Sequence, residues 1–242
     1  MNRISYCEFQ PPLALAESVE CFWTLTGDGL TEAERRHRVL PDGCMDIIFM
    51  TDRARSRASL QAVGTMTRFQ VVSLPENSVT VGVRFHPFAV KPWGSLPASE
   101  LTDRQVPLVD IWRSAAARLE EQLCDATSSP EQVRVLEAAL AGRTGCDALP
   151  RNVGERQLRR IYGATVGIGP KRLSRIRRFR RLLRLIHTRP RDAWASLALE
   201  CGYFDQAHMN NEFRKLSGLT PEQYIMSDLS NTGPQQSDTL VE

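Results

Sequence analysis

The stretch DAWASLALECGYFDQAHMNNEFRKLSG, residues 192–218, constrains the fold of this 242-residue chain more than any other segment. Its first part has helical periodicity up to about Glu200, and Gly202 can then adopt a positive φ and turn the chain sharply. Asp205 provides an N-cap for a second helix over residues 206–216. The expected inward side chains are Trp194, Leu197, Ala198, Met209, Phe213 and Leu216. Two amphipathic helices joined by a glycine turn are the pattern of a helix-turn-helix unit.

The outward face of the second helix is polar and rich in hydrogen-bonding groups. It consists of Gln206, Ala207, Asn210, Asn211 and Arg214. Asn and Gln amides can pair bidentately with the edge of adenine, and alanine can contact a thymine methyl group. On an isolated helix these would be ordinary solvated side chains. Because this helix follows a sharp turn and lies in a basic region, we expect them to contact bases. The nearby His208 is expected to be a packed structural residue, because no second His or Cys lies one turn away to complete a metal site.

Charge is divided unevenly along the chain. Residues 151–225 contain 16 Lys and Arg against 6 Asp and Glu, a net +10, whereas the remainder has 15 against 22, a net −7. The overall formal charge of +3 hides this division. A basic third attached to an acidic remainder indicates a nucleic-acid-binding domain joined to a domain of another kind.

A second, weaker unit precedes this one. Gly154 can cap a short helix with Leu158, Ile161 and Tyr162 inward, and its outward side chains are Arg156, Gln157, Arg159 and Arg160. The expected partner helix is CDALPRNV, in which Asn152 takes the place of the turn glycine, as its tolerance of the left-handed conformation permits.

A long amphipathic helix is predicted between the two units, from Pro170 to just before Pro190. Its apolar stripe is Leu173, Ile176, Phe179, Leu183 and Ile186, and arginines including Arg172, Arg175, Arg178 and Arg181 cover the other side. Roughly 18 residues span about 27 Å. One turn of DNA is about 34 Å, so this helix could hold two recognition helices in consecutive major grooves. Arg178 is predicted to contact the DNA, although these arginines could equally face water.

The first half of the chain has the texture of a β-rich domain. Short runs such as CFWTLTG, HRVLPDGCMDIIFM, FQVVSL and SVTVGVRF alternate with turn residues, which predicts a barrel or sandwich. In the last run Val79, Val81, Val83 and Phe85 share a face. Helices are expected over residues 109–123 and from an N-cap at Ser129 onward. The predicted divisions are a sensory or regulatory domain ending in a helix (1–128), a DNA-binding domain (129–226) and a disordered tail (227–242), an α+β organisation.

An enzymatic barrel with an appended DNA-binding domain is the alternative. Asp42, Asp46, Arg84 and His86 could form a metal or acid–base site, but the chain has no HxH or HxxE motif. The six cysteines include no CxxC pair. We therefore expect no catalytic residue, no metal and no cofactor. A non-specific architectural DNA binder is a further alternative, and it would need no sensory domain. The absence of a signal-like or membrane-spanning segment predicts a cytoplasmic protein without a membrane partner.

The C-terminal part resembles the DNA-binding domain of the AraC/XylS family of bacterial transcription regulators. The motif LALECGYFDQAHMNNEFRKLSGLTPEQY is in register with the family pattern, and RQLRRIYGATVGIGPKRLSRIRRFRRLL is similar to the end of its first unit and its linker helix. HRVLPDGCMDIIF, VGVRFHPFAVKPWG and PASELTDRQVPLVDIW resemble the N-terminal domain of one group within the family, whose ligand is generally unknown. In that group a glycine usually follows RFxP, where this chain has Phe88.

The resemblance implies two recognition helices, residues 155–164 and 206–216. The positions it implies for base reading are Arg156, Arg159, Arg160, Gln206, Ala207, Asn210 and Asn211. It implies double-stranded DNA as the partner, with RNA polymerase and a small-molecule effector as further candidates. Two DNA-reading units on one chain remove the need for a dimer.

Overall fold

The structure is a computed structural model that describes residues 4–27, 29–32, 35–52, 57–75, 77–89, 93–143, 145 and 153–230, the last three without their side chains. A sheet-rich N-terminal domain is followed by a helical C-terminal domain. This arrangement confirms the predicted α+β organisation.

Eight strands build the described part of the N-terminal domain. They are β1 Ile4–Phe9, β2 Val19–Gly27, β3 Arg36–Val39, β4 Met45–Asp52, β5 Arg57–Val63, β6 Gln70–Ser73, β7 Ser78–Phe85 and β8 Gln105–Pro107. Six of them form an antiparallel sheet in the order β1-β2-β7-β4-β5-β8, and β3 pairs with β6 in a separate two-stranded sheet. Three of these strands, β1, β5 and β8, were not predicted from the sequence.

The two faces of the large sheet differ in chemistry. On β7, Val81, Val83 and Phe85 are fully buried in the main core and Val79 packs against it, which confirms their predicted common face. The opposite face places the ring of Trp23 over Gly82, where a Cβ atom would come within 2.2 Å of the ring. That second face also carries Arg84 and Asp46, which lie close to each other.

Eight helices follow among the described residues. They are α1 Val109–Trp112, α2 Ser114–Asp125, α3 Ser129–Leu140, α4 Glu155–Thr165, α5 Pro170–Ile186, α6 Trp194–Glu200, α7 Gln206–Ser217 and α8 Pro221–Ser230. The single helix expected over 109–123 is interrupted, because Arg113 has φ +53°. The cap of α3 is Ser128 rather than Ser129, and the Ser128 Oγ accepts the Glu131 N–H.

Helix α3 packs within the core of the sheet domain. Its buried residues Val133, Leu136 and Leu140 belong to the same hydrophobic cluster as the sheet residues. The division after residue 128 stays a prediction, and this packing favours a later one. At the other end, α8 continues to Ser230, so residues 227–230 are helical, and the rest of the predicted tail lies outside the described residues.

The C-terminal domain is organised around α5. All five residues of the predicted apolar stripe are buried, and Phe179 meets Phe213 of α7 edge to face with ring centroids 5.2 Å apart. Helix α5 also contacts the N-terminal domain directly. Its Arg180 pairs with Glu20, and Leu173 lies where a side chain at Gly43 would be. One side of α5 therefore packs in the core of the C-terminal domain, and another side contacts the N-terminal domain.

No helix in the described parts of the chain is both long and apolar enough to cross a membrane.

Candidate nucleic-acid interface

The turn between α6 and α7 has the geometry that its sequence predicts. Gly202 has φ +84°, and its N–H donates to the Leu199 carbonyl at 2.9 Å. The Asp205 carboxylate accepts the His208 N–H at 2.6 Å, so Asp205 caps α7. All six predicted inward side chains of the two helices are buried. The second helix-turn-helix unit is therefore fixed by its own backbone hydrogen bonds and its core.

His208 helps to hold this turn. Its Nδ1 accepts the Phe204 N–H at 3.2 Å, and its ring lies edge to face against Tyr203. Glu212, one helical turn further on, is bound to Arg175 at 2.5 Å. The expectation of a packed, hydrogen-bonded histidine is thus confirmed.

The outward face of α7 is centred on three exposed residues at helical spacing, Ala207, Asn211 and Arg214. Gln206 and Asn210 are half-buried and lie to one side of this face. The Asn210 Oδ1 atom is shielded from solvent and has no hydrogen-bond partner among the described residues. The structure thus brings the five predicted residues of α7 onto one surface, with Asn211 more accessible than Asn210.

Two further residues on this surface were not singled out from the sequence. Phe204, which directly precedes the cap, is 83 % exposed although it is a large apolar side chain. Lys215 is exposed, and its Nζ lies 3.3 Å from Glu212 Oε1. Phe204 could have been found from its position between the turn glycine and the capping aspartate.

In the first unit, Gly154 is the N-cap of α4, as predicted. Arg156, Arg159 and Arg160 are all exposed, and Arg159 pairs with Glu155 at 2.5 Å. The inward residues Leu158, Ile161 and Tyr162 are only half-buried. The expected partner helix and its turn, residues 146–152, lie outside the described residues.

Phe88, the departure from the resemblance, contacts this first unit. Its φ is +79°, so the backbone keeps the left-handed conformation that glycine adopts without strain. Its ring packs edge to face on Tyr162 of α4, with centroids 5.0 Å apart. The phenylalanine therefore adds an interdomain contact at a position where glycine would supply only the turn.

The arginines of α5 are divided between protein contacts and solvent. Arg175 pairs with Glu212 of α7, and Arg178 donates to the Gly202 carbonyl at 2.8 Å while its guanidinium lies over the Tyr203 ring. The exposed basic residues of this helix are Lys171, Arg172, Arg177, Arg181 and Arg184. Arg178 is thus half-buried and engaged with the turn, and its predicted role in DNA binding stays a prediction.

The enzymatic alternative rested on polar residues of the N-terminal domain, and the structure brings three of them together. The buried Arg84 Nε lies 3.0 Å from Asp42 Oδ2 and 3.5 Å from Asp46 Oδ1, whereas His86 lies 4.0 Å from Glu20 instead. Burial raises the pKa of Asp46 to about 7, against the opposing effect of Arg84. The Arg84 guanidinium thus lies between the carboxyl groups of Asp42 and Asp46, and the Asp46 carboxyl also accepts a hydrogen bond from Trp23 Nε1. Within the described ranges, no three His, Cys, Asp or Glu side chains are placed to share a metal ion.

Comparisons with known proteins match two separate segments of the chain, and the second segment coincides with the basic region of residues 151–225. Residues 7–107 match a family described as a domain of unknown function (DUF6597), and residues 151–227 match a family described as a helix-turn-helix domain. A comparison with curated proteins gives no match.

Among solved structures, the chain is similar to ToxT from Vibrio cholerae. An apo form of a ToxT point variant is 11% identical, with 92% of this chain and 96% of that chain covered and a TM-score of 0.37. A 1.65 Å structure of ToxT is 12% identical, with 79% and 94% covered and a TM-score of 0.38.

The capped turn, the buried inner stripes and the matched domain define a helix-turn-helix DNA-binding regulator. With the GYFDQAH motif and the linker helix, residues 151–227 form a helix-turn-helix domain of the AraC/XylS type, and a domain of unknown function precedes it.

Proposed function

We propose that this protein is a sequence-specific transcription regulator that inserts α4 and α7, its two reading helices, into successive major grooves of double-stranded DNA. The observation that carries the proposal is the exposed face of α7, where Ala207, Asn211 and Arg214 project from a helix that the turn and α5 hold in place. A side chain reads a base edge only if its backbone is held in register.

The proposed base-reading residues form two sets. On α7 they are Gln206, Ala207, Asn210 and Asn211, joined by Phe204 and Arg214, and on α4 they are Arg156, Arg159 and Arg160. Arginine suits the O6 and N7 atoms of guanine, and asparagine suits the edge of adenine. Phe204 and Ala207 can contact thymine methyl groups. Arg178 contributes by holding the Gly202 turn.

The linker helix supports the two-groove arrangement. Its 17 residues span about 26 Å. One turn of straight DNA is about 34 Å, and a moderate bend of the duplex can absorb the difference. Residues Lys171, Arg172, Arg177 and Arg184 are exposed on this helix and supply positive charge for phosphate contacts.

The N-terminal domain is proposed to be the regulatory half, with a small-molecule effector as its ligand and RNA polymerase as the protein partner at a promoter. Its direct contact with α5 supports a regulatory role. A conformational change in this domain would alter the contacts of α5, the helix that connects the two reading helices.

The proposal is tested by selecting bound fragments from genomic DNA and measuring binding of the full chain to a selected duplex and to its scrambled counterpart. We expect a preference of about a thousandfold or more, and affinity that falls steeply with salt. Arg118→Ala, an exposed change on α2, is the matched control and should leave both affinities unaltered. Equal affinity for the two duplexes would refute the proposal and favour the non-specific architectural alternative.

A further inference from the structure

Both reading helices end against the N-terminal domain. The backbone carbonyls at the two helix ends accept hydrogen bonds from four residues of this domain. These are Arg38, Thr65, Phe69 and Thr102, which we call the bracket. The last carbonyls of a helix have no partner within the helix and need donors from elsewhere. Here the N-terminal domain supplies such donors to both reading helices.

At the end of α4, two threonine hydroxyls act as the donors. Thr65 Oγ1 donates to the Val166 carbonyl at 2.6 Å, and Thr102 Oγ1 donates to the Gly167 carbonyl at 2.8 Å. Gly167 has φ +84°, and a Cβ there would lie 2.6 Å from Thr102 Oγ1. Glycine is therefore required both for the backbone conformation and for the close approach of the two domains.

At the end of α7, the donors are a backbone N–H and a guanidinium. The Phe69 N–H donates to the Leu216 carbonyl at 3.0 Å, and Arg38 Nη1 donates to the Ser217 carbonyl at 2.8 Å. The Phe69 ring lies over Gly218, and the Arg38 guanidinium stacks on that ring 4.6 Å from its centroid. A cation at this end also matches the helix dipole.

One short loop carries contacts to both helices. Thr65 and Phe69 lie in the connection between β5 and β6 and are four residues apart. Four residues span at most about 14 Å, so the ends of α4 and α7 are tied to points no further apart than that. The loop is itself anchored, because Thr67 donates to both carboxylate oxygens of Asp103 through its N–H and its hydroxyl.

We propose that the bracket sets the separation of the two reading helices, and with it the spacing of the two DNA segments that the protein accepts. Its members are positioning residues, since they contact the helix ends rather than the outward faces. This inference rests on the proposed function and adds to it a second task for the N-terminal domain, which is to fix the geometry of DNA reading.

The test measures spacing tolerance rather than affinity alone. Full-length protein is titrated with the selected duplex and with duplexes that have one base pair inserted or removed between the two contacted segments. One inserted base pair moves the second segment by about 3.4 Å and turns it by about 34°. We expect the wild type to lose on the order of 100-fold in affinity, and Thr65→Val/Thr102→Val to lose about tenfold or less.

Two further variants keep the test decisive. Thr51→Val is the matched control, because its hydroxyl also donates to a carbonyl, that of Val79 at 3.2 Å, but inside the sheet. It should keep the spacing profile of the wild type. Arg38→Met removes the contact at α7 from a half-buried position without touching the core, and it gives the answer if the threonine double variant does not fold.

The outcomes separate this inference from the function on which it rests. Bracket variants with the spacing profile of the wild type would overturn it, as would variants that bind the selected site more tightly than the wild type, since the bracket would then oppose DNA binding. A wild-type protein that shows no preference for any duplex would refute the proposed function itself.

Discussion

Replacing Arg180 by methionine tests how strongly the linker helix is joined to the N-terminal domain. Methionine keeps most of the aliphatic stem and removes the charge. Arg180 pairs with Glu20 and also approaches the Asp42 carbonyl and the Cys44 thiol, and both partners of the ion pair are largely buried. The variant therefore leaves a buried carboxylate without its cation, which is the costly way to break an ion pair.

The expected magnitude follows from the acidity of Glu20. Burial alone raises the pKa of this carboxyl, but the hydrogen bond and charge of Arg180, with smaller contributions from Cys44 and Arg84, outweigh burial and lower the pKa from 4.5 to about 2. With each pH unit worth about 1.4 kcal/mol, this net shift corresponds to about 3 kcal/mol of the free energy of unfolding at pH 7, and Arg180 supplies the largest favourable part of it. Because the folded-state pKa is depressed, this contribution is present above pH 4.5 and is lost as the pH falls toward 2.

The assay is equilibrium unfolding of the full chain in urea between pH 7 and pH 3. Arg180→Met should lower the free energy of unfolding at pH 7 by about 2 to 3 kcal/mol, and it should show a smaller further loss in acid than the wild type. Adding Glu20→Gln should recover part of the loss, because the unpaired charge disappears. A loss below about 0.5 kcal/mol at pH 7, or strictly additive effects of the two substitutions, would refute the reasoning.

Three other predictions concern DNA reading and the buried charges. Asn211→Ala should relax the preference at one or two base pairs at a cost of about 1 to 3 kcal/mol, whereas Arg178→Ala should weaken binding to all sites alike, as measured on a panel of single-base variants of the selected duplex. Phe204→Ala should reduce affinity for sites with thymine near the start of α7 and leave the thermal midpoint unchanged, because its ring is exposed. The raised pKa of Asp46, caused by burial, makes wild-type stability fall as the pH rises from about 4 to about 7. Asp46→Asn should lack that fall in urea unfolding, and an unchanged pH profile would contradict it.

The parts of the fold that the sequence predicted are those with local signals. Gly202 and Asp205 act on residues within one helical turn of themselves, so the second helix-turn-helix unit and its inner stripe could be read directly. The alternation in β7 was equally legible because it spans eight residues. The exposed residues of α4 and α7 followed from helical spacing once the helix starts were known.

What the sequence did not predict depends on partners distant in the chain. The arginines of α5 look alike in sequence, yet Arg175, Arg178 and Arg180 contact three different elements 37, 24 and 160 residues away. Packing decides which arginines contact protein and which remain exposed for DNA. The helical spacing of the sequence alone does not distinguish the two groups. The strand β8 was missed because its three residues are too few to show any periodicity.

The connection between β5 and β6 has an unusual consequence for how this protein tolerates change. Surface loops commonly accept insertions and deletions with little effect. In this loop, one added residue between Thr65 and Phe69 would change the distance between the two residues that contact the ends of α4 and α7. Both residues are far in sequence from those helices. We therefore expect the length of this loop, ordinarily the most variable property of such a segment, to be restricted by the two helix ends that it contacts.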